Sequence, residues 1–142
     1  MPQIRQNGDG SIGLEGTDTG VGGGFVSVNI EYNASSVDKV SFVAGRKYVI
    51  QAIYGRVESA GTDGGAVTAV IKKAASGTAI ASGTAVHSST FNLKGTAATN
   101  QALTVSSTAG VATIPQGTAI GIDFTGTLTS ATGVITVLLA PA

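Results

Sequence analysis

The sequence predicts an all-β protein, a single antiparallel β-sandwich of jelly-roll-like type that follows an extended Gly-rich N-terminal arm. Short apolar segments, several of them alternating with polar residues at period two, recur along the 142 residues between Gly, Ser and Thr. Helix signals are weak, because the Ala-rich pieces run into glycine within a few residues. The length fits one domain, and the absence of cysteine excludes a disulfide framework.

Residues 1–24 form the predicted arm, and residues 25–142 form the predicted sandwich domain. The arm is rich in Gly and Asp, so it has little apolar surface to offset the entropy of ordering. Two interpretations are open: a flexible terminus, or an arm that becomes ordered against a neighbouring subunit or a partner surface. In the second case the expected anchors are four isolated apolar residues: Ile4, Ile12, Leu14 and Val21.

The first strands of the domain are the clearest. Residues 25–32 alternate between an apolar and a polar face, and a short strand is predicted at 40–43. Residues 46–54 are apolar on both faces, which predicts a central strand. Another strand is predicted at 66–73, and the turn sequence Asp63-Gly64-Gly65 predicts a hairpin between these two strands.

Further short strands are predicted to the end of the chain, at residues 78–81, 90–93, 102–106, 111–114, 118–124 and 133–140. Their spacing favours a sandwich or jelly roll. A Gly-Thr-Ala tetrad recurs at Gly77, Gly83 and Gly117, which keeps a β-solenoid as an alternative. The intervals are irregular, whereas a solenoid needs a sustained period.

Charge is sparse and unevenly placed. The net charge is zero and charged residues make up 11% of the chain, so nothing favours binding to nucleic acid or anionic lipid. Residues 74–142 contain only Lys94 and Asp123 as charged residues. This half either packs against sister subunits, because interface cores are depleted in charge, or is a Ser/Thr-coated surface. A homo-oligomer, dimer or trimer, is expected. No signal peptide or membrane span is recognisable, and synthesis in a reducing cytoplasm fits the lack of cysteine.

No catalytic motif emerges. His87 lies in a Ser/Thr-rich segment, where a surface position is expected, and no nucleophile elbow accompanies it. Asp123 stands in an apolar strand and is expected to accept a hydrogen bond or to pair with Lys94. We therefore expect no enzyme activity and no catalytic residue.

No cofactor or metal site is expected either. The glycine run at 20–24 lacks the spacing of a nucleotide-binding loop, because Phe25 stands where the third glycine belongs. Alternating oxygen donors in the arm resemble a calcium loop, but Gly and Glu are missing from the required positions. Surface turns explain these donors better, and a calcium site of another type is the alternative. The donors are Asn7, Asp9, Ser11, Glu15 and Asp18.

Two stretches carry a resemblance. Ala66-Val67-Thr68-Ala69-Val70-Ile71-Lys72-Lys73 begins the first, which runs through Gly77-Thr78-Ala79-Ile80 to Phe91-Asn92-Leu93-Lys94-Gly95. The second is Ile114-Pro115-Gln116-Gly117-Thr118-Ala119-Ile120-Gly121-Ile122-Asp123-Phe124, and the apolar strand 134–139 follows. Over roughly residues 45–140 the chain resembles small β-sandwich proteins of tailed bacteriophages that decorate or cement the capsid. The resemblance implies an oligomeric, jelly-roll-like domain on the outer shell, and no active-site residue.

The expected function is therefore that of a structural virion protein. It would be made in the host cytoplasm, bind the major capsid protein of the same virus on the outer capsid surface, and clamp neighbouring capsomers. Expected contact residues are Ile4, Ile12, Leu14, Val21, Arg46, Lys47 and Arg56. The alternative is a receptor- or glycan-binding module of a phage head or tail fibre. Sugar sites usually offer an exposed aromatic ring, and most aromatic residues of this sequence lie where the core is predicted. The burial of Tyr54, beside Gly55 and Arg56, is the least certain.

Overall fold

The computed structural model describes residues 5–6, 12–13 and 24–142. Two short strands, β1 (Arg5–Gln6) and β2 (Ile12–Gly13), pair antiparallel. Of the expected anchors of the arm, Ile12 lies in β2, where only the backbone is described. Ile4, Leu14 and Val21 lie outside the described residues.

The remaining strands form two antiparallel sheets, which confirms the predicted all-β, sandwich-type fold. Sheet 1 contains β3 (Val26–Tyr32), β5 (Tyr48–Ser59), β9 (Thr99–Leu103), β10 (Thr113–Ile114) and β12 (Thr132–Pro141). Its order is β3–β12–β5, and β9 and β10 both pair with the far edge of β5. Sheet 2 contains β4 (Lys39–Val43), β6 (Thr68–Ala74), β7 (Thr84–Ala85), β8 (Phe91–Asn92) and β11 (Ala119–Thr125). Its order is β4–β11–β6, with β7 and β8 on the far edge of β6.

Alternation along the strands sets the inner faces. In β3, Val28, Ile30 and Tyr32 are buried, while the polar residues between them are exposed, as the period-two pattern predicts. The position of β5, which pairs with β12 on one side and with β9 and β10 on the other, confirms the predicted central strand.

The core lies between the two sheets. Ile53 and Ile135 of sheet 1 pack in one cluster with Ile71 and Ile122 of sheet 2, and all four are almost completely buried. Phe91 is fully buried against Gly55, where an added Cβ would lie 2.5 Å from the Phe91 Cζ atom. Gly55 thus makes room for the largest fully buried side chain among the described residues.

One side of the sandwich is closed by a seam. The segment 84–88 bonds to β6 of sheet 2 and to the residues that follow β9 of sheet 1: the Val86 N–H donates to the Ile71 carbonyl (3.1 Å), and the Ser106 N–H donates to the Val86 carbonyl (2.9 Å). His87 and Val105 form a β-bridge at this seam. On the other side the edge strands β3 and β4 approach each other, and Lys39 Nζ on β4 donates to the Glu31 carbonyl on β3 (3.1 Å).

Two sequence predictions about local structure are wrong. The strands on either side of Asp63-Gly64-Gly65 lie in different sheets, so the loop crosses the sandwich and makes no hairpin. Residues 78–81, predicted as a strand, lead into a 3₁₀ helix at Ile80–Ser82. Ile80 packs over Gly121, where a Cβ would lie 2.7 Å from the Ile80 Cγ1 atom. A tertiary contact therefore decides the conformation of this segment.

Candidate functional site: two surfaces on different sheets

The outer face of sheet 1 carries two rows of side chains that run across its strands. They face outward because each alternates with neighbours that are more buried, as Thr136 does between Ile135 and Val137 and as the exposed Ala102 does between the half-buried Gln101 and Leu103. The first row is Asn29, Thr136, Tyr54 and Ala102, and the second is Glu31, Val134, Arg56 and Asn100. The register of β3, β12, β5 and β9 therefore places residues from four separate strands on one surface.

This surface is concave. A cavity of about 250 Å³ lies beside Tyr54, Arg56, Asn100 and Thr136, and another of about 450 Å³ extends past Arg56 toward Glu31 and Glu58. The two cavities are adjacent, because Arg56 and Val134 line both, and we call them together the Tyr54 groove: Glu31, Tyr54, Arg56, Glu58, Asn100, Val134 and Thr136. Tyr54 is 54% exposed.

Hydrogen bonds fix the polar side chains of the groove. Arg56 Nε donates to Glu58 Oε1 at 2.7 Å, and Arg56 Nη1 donates to Asn100 Oδ1 at 3.1 Å. Beside them, Thr136 Oγ1 donates to Asn29 Oδ1 at 2.7 Å. The Arg56–Glu58 pair is about half exposed, so it contributes only ~0–1 kcal/mol to stability. Its clearer effect is to hold the guanidinium in one orientation.

The second surface lies on edge strand β4. A β-bulge at Ser41 shifts the register, since Phe42 pairs with Ile120 and Val40 pairs with Gly121. The bulge turns Phe42 inward, where its ring lies 5.9 Å from that of Tyr48. It also leaves Val40 and Val43 on the same outer face, 48% and 60% exposed.

Val37, just before β4, is 70% exposed, and the turn that follows β4 exposes Arg46 and Lys47. We call these five residues the β4 edge surface: Val37, Val40, Val43, Arg46 and Lys47. Within the described part of the chain, the outer edge of β4 has no strand partner. The surface therefore combines an open backbone edge, exposed valines and two cations.

Most lysines link segments of the folded chain through hydrogen bonds. The Nζ atoms of Lys39, Lys72, Lys73 and Lys94 each donate to backbone carbonyls of other segments. Arg46 and Lys47 make no side-chain hydrogen bond with any residue in the range 24–142. These two expected contact residues are adjacent, as the sequence requires. The third cation among the expected contact residues, Arg56, lies in the Tyr54 groove. At ~3.3 Å per residue, Arg56 is roughly 25 Å from the start of β5, which directly follows Lys47.

The surface position expected for His87 is wrong, and of the two alternatives for Asp123 the pair with Lys94 is wrong. His87 is buried, and its Nε2 atom accepts a hydrogen bond from the Ile71 N–H at 2.9 Å. Burial lowers its pKa below the ordinary 6.5, and the Ser89 backbone opposes this shift only in part. Asp123 pairs with Lys72 (2.6 Å), not with Lys94, whose Nζ instead bonds to the carbonyls of the 63–65 loop. His87 Nε2 and the Asp123 carboxylate are thus engaged in structural contacts.

Among the residues that the structure describes, no cluster of three or more His, Cys, Asp or Glu is placed to hold a metal ion. The oxygen donors considered for calcium, Asn7 to Asp18, lie outside the described residues. No helix in the described ranges is long and apolar enough to cross a membrane.

Sequence reasoning missed the Tyr54 groove because it ended the strand at residue 54. The strand continues to Ser59, with Tyr54, Arg56 and Glu58 facing outward and Gly55 and Val57 inward. That alternation was the available signal. The partners on β9 and β12 come from distant parts of the chain, and only the sheet register identifies them.

The chain matches no known protein-family model, no curated protein and no solved structure.

Proposed function

We propose that the protein is a structural virion protein that binds the outside of an icosahedral phage capsid and stabilises it by clamping neighbouring capsomers. The observation that carries the proposal is the β4 edge surface. An open strand edge with exposed Val37, Val40 and Val43 is suited to contact with another protein.

The chemistry of this surface fits a protein partner. An open strand edge offers backbone N–H and C=O groups to a partner strand or loop. Burying the valine side chains adds about 25 cal/mol per Å² of apolar surface removed from water. Arg46 and Lys47 lie at one end, where a polar rim surrounds a typical interface core. The expected occupant is the major capsid protein of the same virus.

Modest contacts suffice for such a role. A ligand that binds only the assembled shell stabilises that shell by mass action. If each copy is held at two or more points, the effective concentration of the second contact raises the overall affinity without any single strong site. Self-association as a dimer or trimer would supply further points, and the charge-poor residues 74–142 are the proposed contact between sister subunits.

Co-sedimentation tests the proposal. Purified protein is mixed with expanded capsids of the same virus that lack it, and separately with unexpanded capsids. We expect saturable binding to the expanded shell, at a fixed copy number per lattice position. Absence of binding to both shells would contradict the proposal.

The alternative, a receptor- or glycan-binding module of a head or tail fibre, is favoured by one observation, the exposed Tyr54 ring beside the polar side chains of Arg56, Asn100 and Thr136. As the sole function it predicts affinity for sugars and none for capsids, so the same co-sedimentation separates the two.

A further inference from the structure

We propose that the Tyr54 groove is a binding site for a neutral glycan, with Tyr54 as the stacking platform and Arg56, Asn100 and Glu31 as hydrogen-bonding groups. This inference does not depend on the capsid-binding role. The groove lies on sheet 1, whereas the β4 edge surface belongs to sheet 2, so one domain can carry both.

The stacking platform is the aromatic ring of Tyr54, which is exposed to solvent and is not part of the core. Tyr54 points away from the core, and its neighbours Ile53 and Gly55 are buried. Tyr32 and Tyr48, by contrast, are buried in the core. An aromatic ring that is open to solvent provides a flat apolar surface with a polar tip, which fits the C–H face of a pyranose ring.

The polar groups around the ring offer both donors and acceptors. Arg56 uses Nε and Nη1 within the groove, which leaves Nη2 for a ligand, and Asn100 accepts through Oδ1, which leaves its Nδ2 donors. Asn29 likewise accepts from Thr136 and retains its amide donors. Glu31 and Glu58 provide exposed carboxylate oxygens. Because each sugar hydroxyl both donates and accepts, this mixture suits a polyol better than it suits a purely anionic or apolar ligand.

The size and rigidity of the groove also fit. The adjoining cavities of about 250 and 450 Å³ fall near the range of ~300–1,000 Å³ that is common for ligand sites. Tyr54 and Arg56 stand on the central strand β5, and Thr136 and Val134 stand on β12 beside it. Side chains fixed on central strands lose little entropy on binding.

Charge selects the class of glycan. The Arg56 guanidinium is matched by the Glu58 carboxylate at 2.7 Å, and Glu31 adds a further negative charge across the sheet. The lining side chains thus carry two negative charges and one positive charge, and Lys39, whose Nζ bonds to the Glu31 carbonyl, lies at the edge, so a sialylated or sulfated chain would find no excess of positive charge. The site is predicted to prefer neutral hexose or N-acetylhexosamine chains.

A panel of neutral oligosaccharides, built from hexoses and N-acetylhexosamines, tests the proposal by calorimetric titration into the full-length protein. Sialylated and sulfated chains serve as the comparison. We expect saturable binding of at least one neutral chain, at least tenfold weaker binding by Tyr54→Ala, and a change of no more than about threefold for Tyr54→Phe. Phe25→Ala removes an aromatic ring of similar exposure that lines neither cavity, so it should bind as the unaltered protein does.

Backbone amide shifts of the unaltered protein provide a second measurement that needs no variant. Titration with the neutral chain should shift residues 29–31, 54–58, 100 and 134–136. The proposal is overturned if no neutral chain binds at millimolar concentration, if Tyr54→Ala binds as tightly as the unaltered protein, or if the shifts lie elsewhere. None of these outcomes alters the capsid-binding test, which depends on β4.

Discussion

His87 accepts a hydrogen bond from the Ile71 backbone N–H through Nε2, at 2.9 Å, where the seam joins the two sheets. The bond requires an unprotonated Nε2, so the ring proton is on Nδ1. Nδ1 is buried and makes no hydrogen bond of good geometry among residues 24–142, although the nearby Ser89 backbone favours the charged ring in part. A charged imidazolium would therefore lose the Ile71 bond inside a buried seam, with only partial compensation from Ser89.

This relationship predicts that the fold weakens in mild acid. The pKa of His87 is below 6.5 in the folded protein and near 6.5 in the unfolded chain. The unfolded state then binds more protons between these values, so the free energy of unfolding falls as the pH falls below 6.5. The slope reaches at most about 1.4 kcal/mol per pH unit. Urea unfolding at pH 8, 6.5, 5.8 and 5.2 measures it.

His87→Gln is the matched variant for that measurement, because a side-chain carbonyl can accept from the Ile71 N–H but does not titrate. Its free energy of unfolding is expected to change little between pH 8 and 5.2. Equal slopes in the two proteins would mean that His87 is not the source of the acid sensitivity.

Gly55 is predicted to be intolerant of any side chain. A Cβ there would lie 2.5 Å from Phe91 Cζ, so Gly55→Ala forces the buried ring to move and should cost about 1–3 kcal/mol of stability. Gly64→Ala is the control, because nothing lies within 4 Å of a Cβ at Gly64. Denaturant unfolding of both variants provides the comparison, and a similar small change in both would contradict the packing argument.

Lys73 is predicted to stabilise the loop before β10. Its Nζ donates to the carbonyls of Gly110 and Thr113, both at 2.7 Å. Lys73→Met keeps the aliphatic stem but leaves both carbonyls without this donor, at an expected cost of about 1–3 kcal/mol. Lys47→Met removes a lysine that makes no side-chain hydrogen bond within the described chain, and it should stay within about 0.5 kcal/mol. Thermal unfolding that ranks the two variants equally would contradict this role.

The sequence predicts the parts of this fold that depend on local pattern. Alternation over Val28, Ile30 and Tyr32 identifies an inner face, and an apolar run identifies β5 as central. It does not predict contacts that depend on register between distant strands. The Lys72–Asp123 pair requires the alignment of β6 with β11, and the groove requires Arg56 to meet Asn100 across β5 and β9.

The errors have the same origin. Asp63-Gly64-Gly65 has the residues of a turn, but turn residues do not specify which sheet the next strand joins. The segment around Ile80 has strand-like residues, yet packing over Gly121 makes it a 3₁₀ helix. His87 has polar neighbours in sequence, whereas its burial comes from the seam with Val105.

The most direct test of the central claim is co-sedimentation of β4 edge variants with expanded capsids that lack the protein. In Val40→Lys/Val43→Lys, two exposed valines become cations, so folding should be retained while the apolar contact is lost. Ala97→Lys is the control, since Ala97 is exposed in the loop before β9, at the far edge of sheet 1. The account predicts saturable binding by the unaltered protein and by Ala97→Lys, and at least tenfold weaker binding by the double variant. Equal binding by the folded double variant would contradict the claim that the β4 edge contacts the shell.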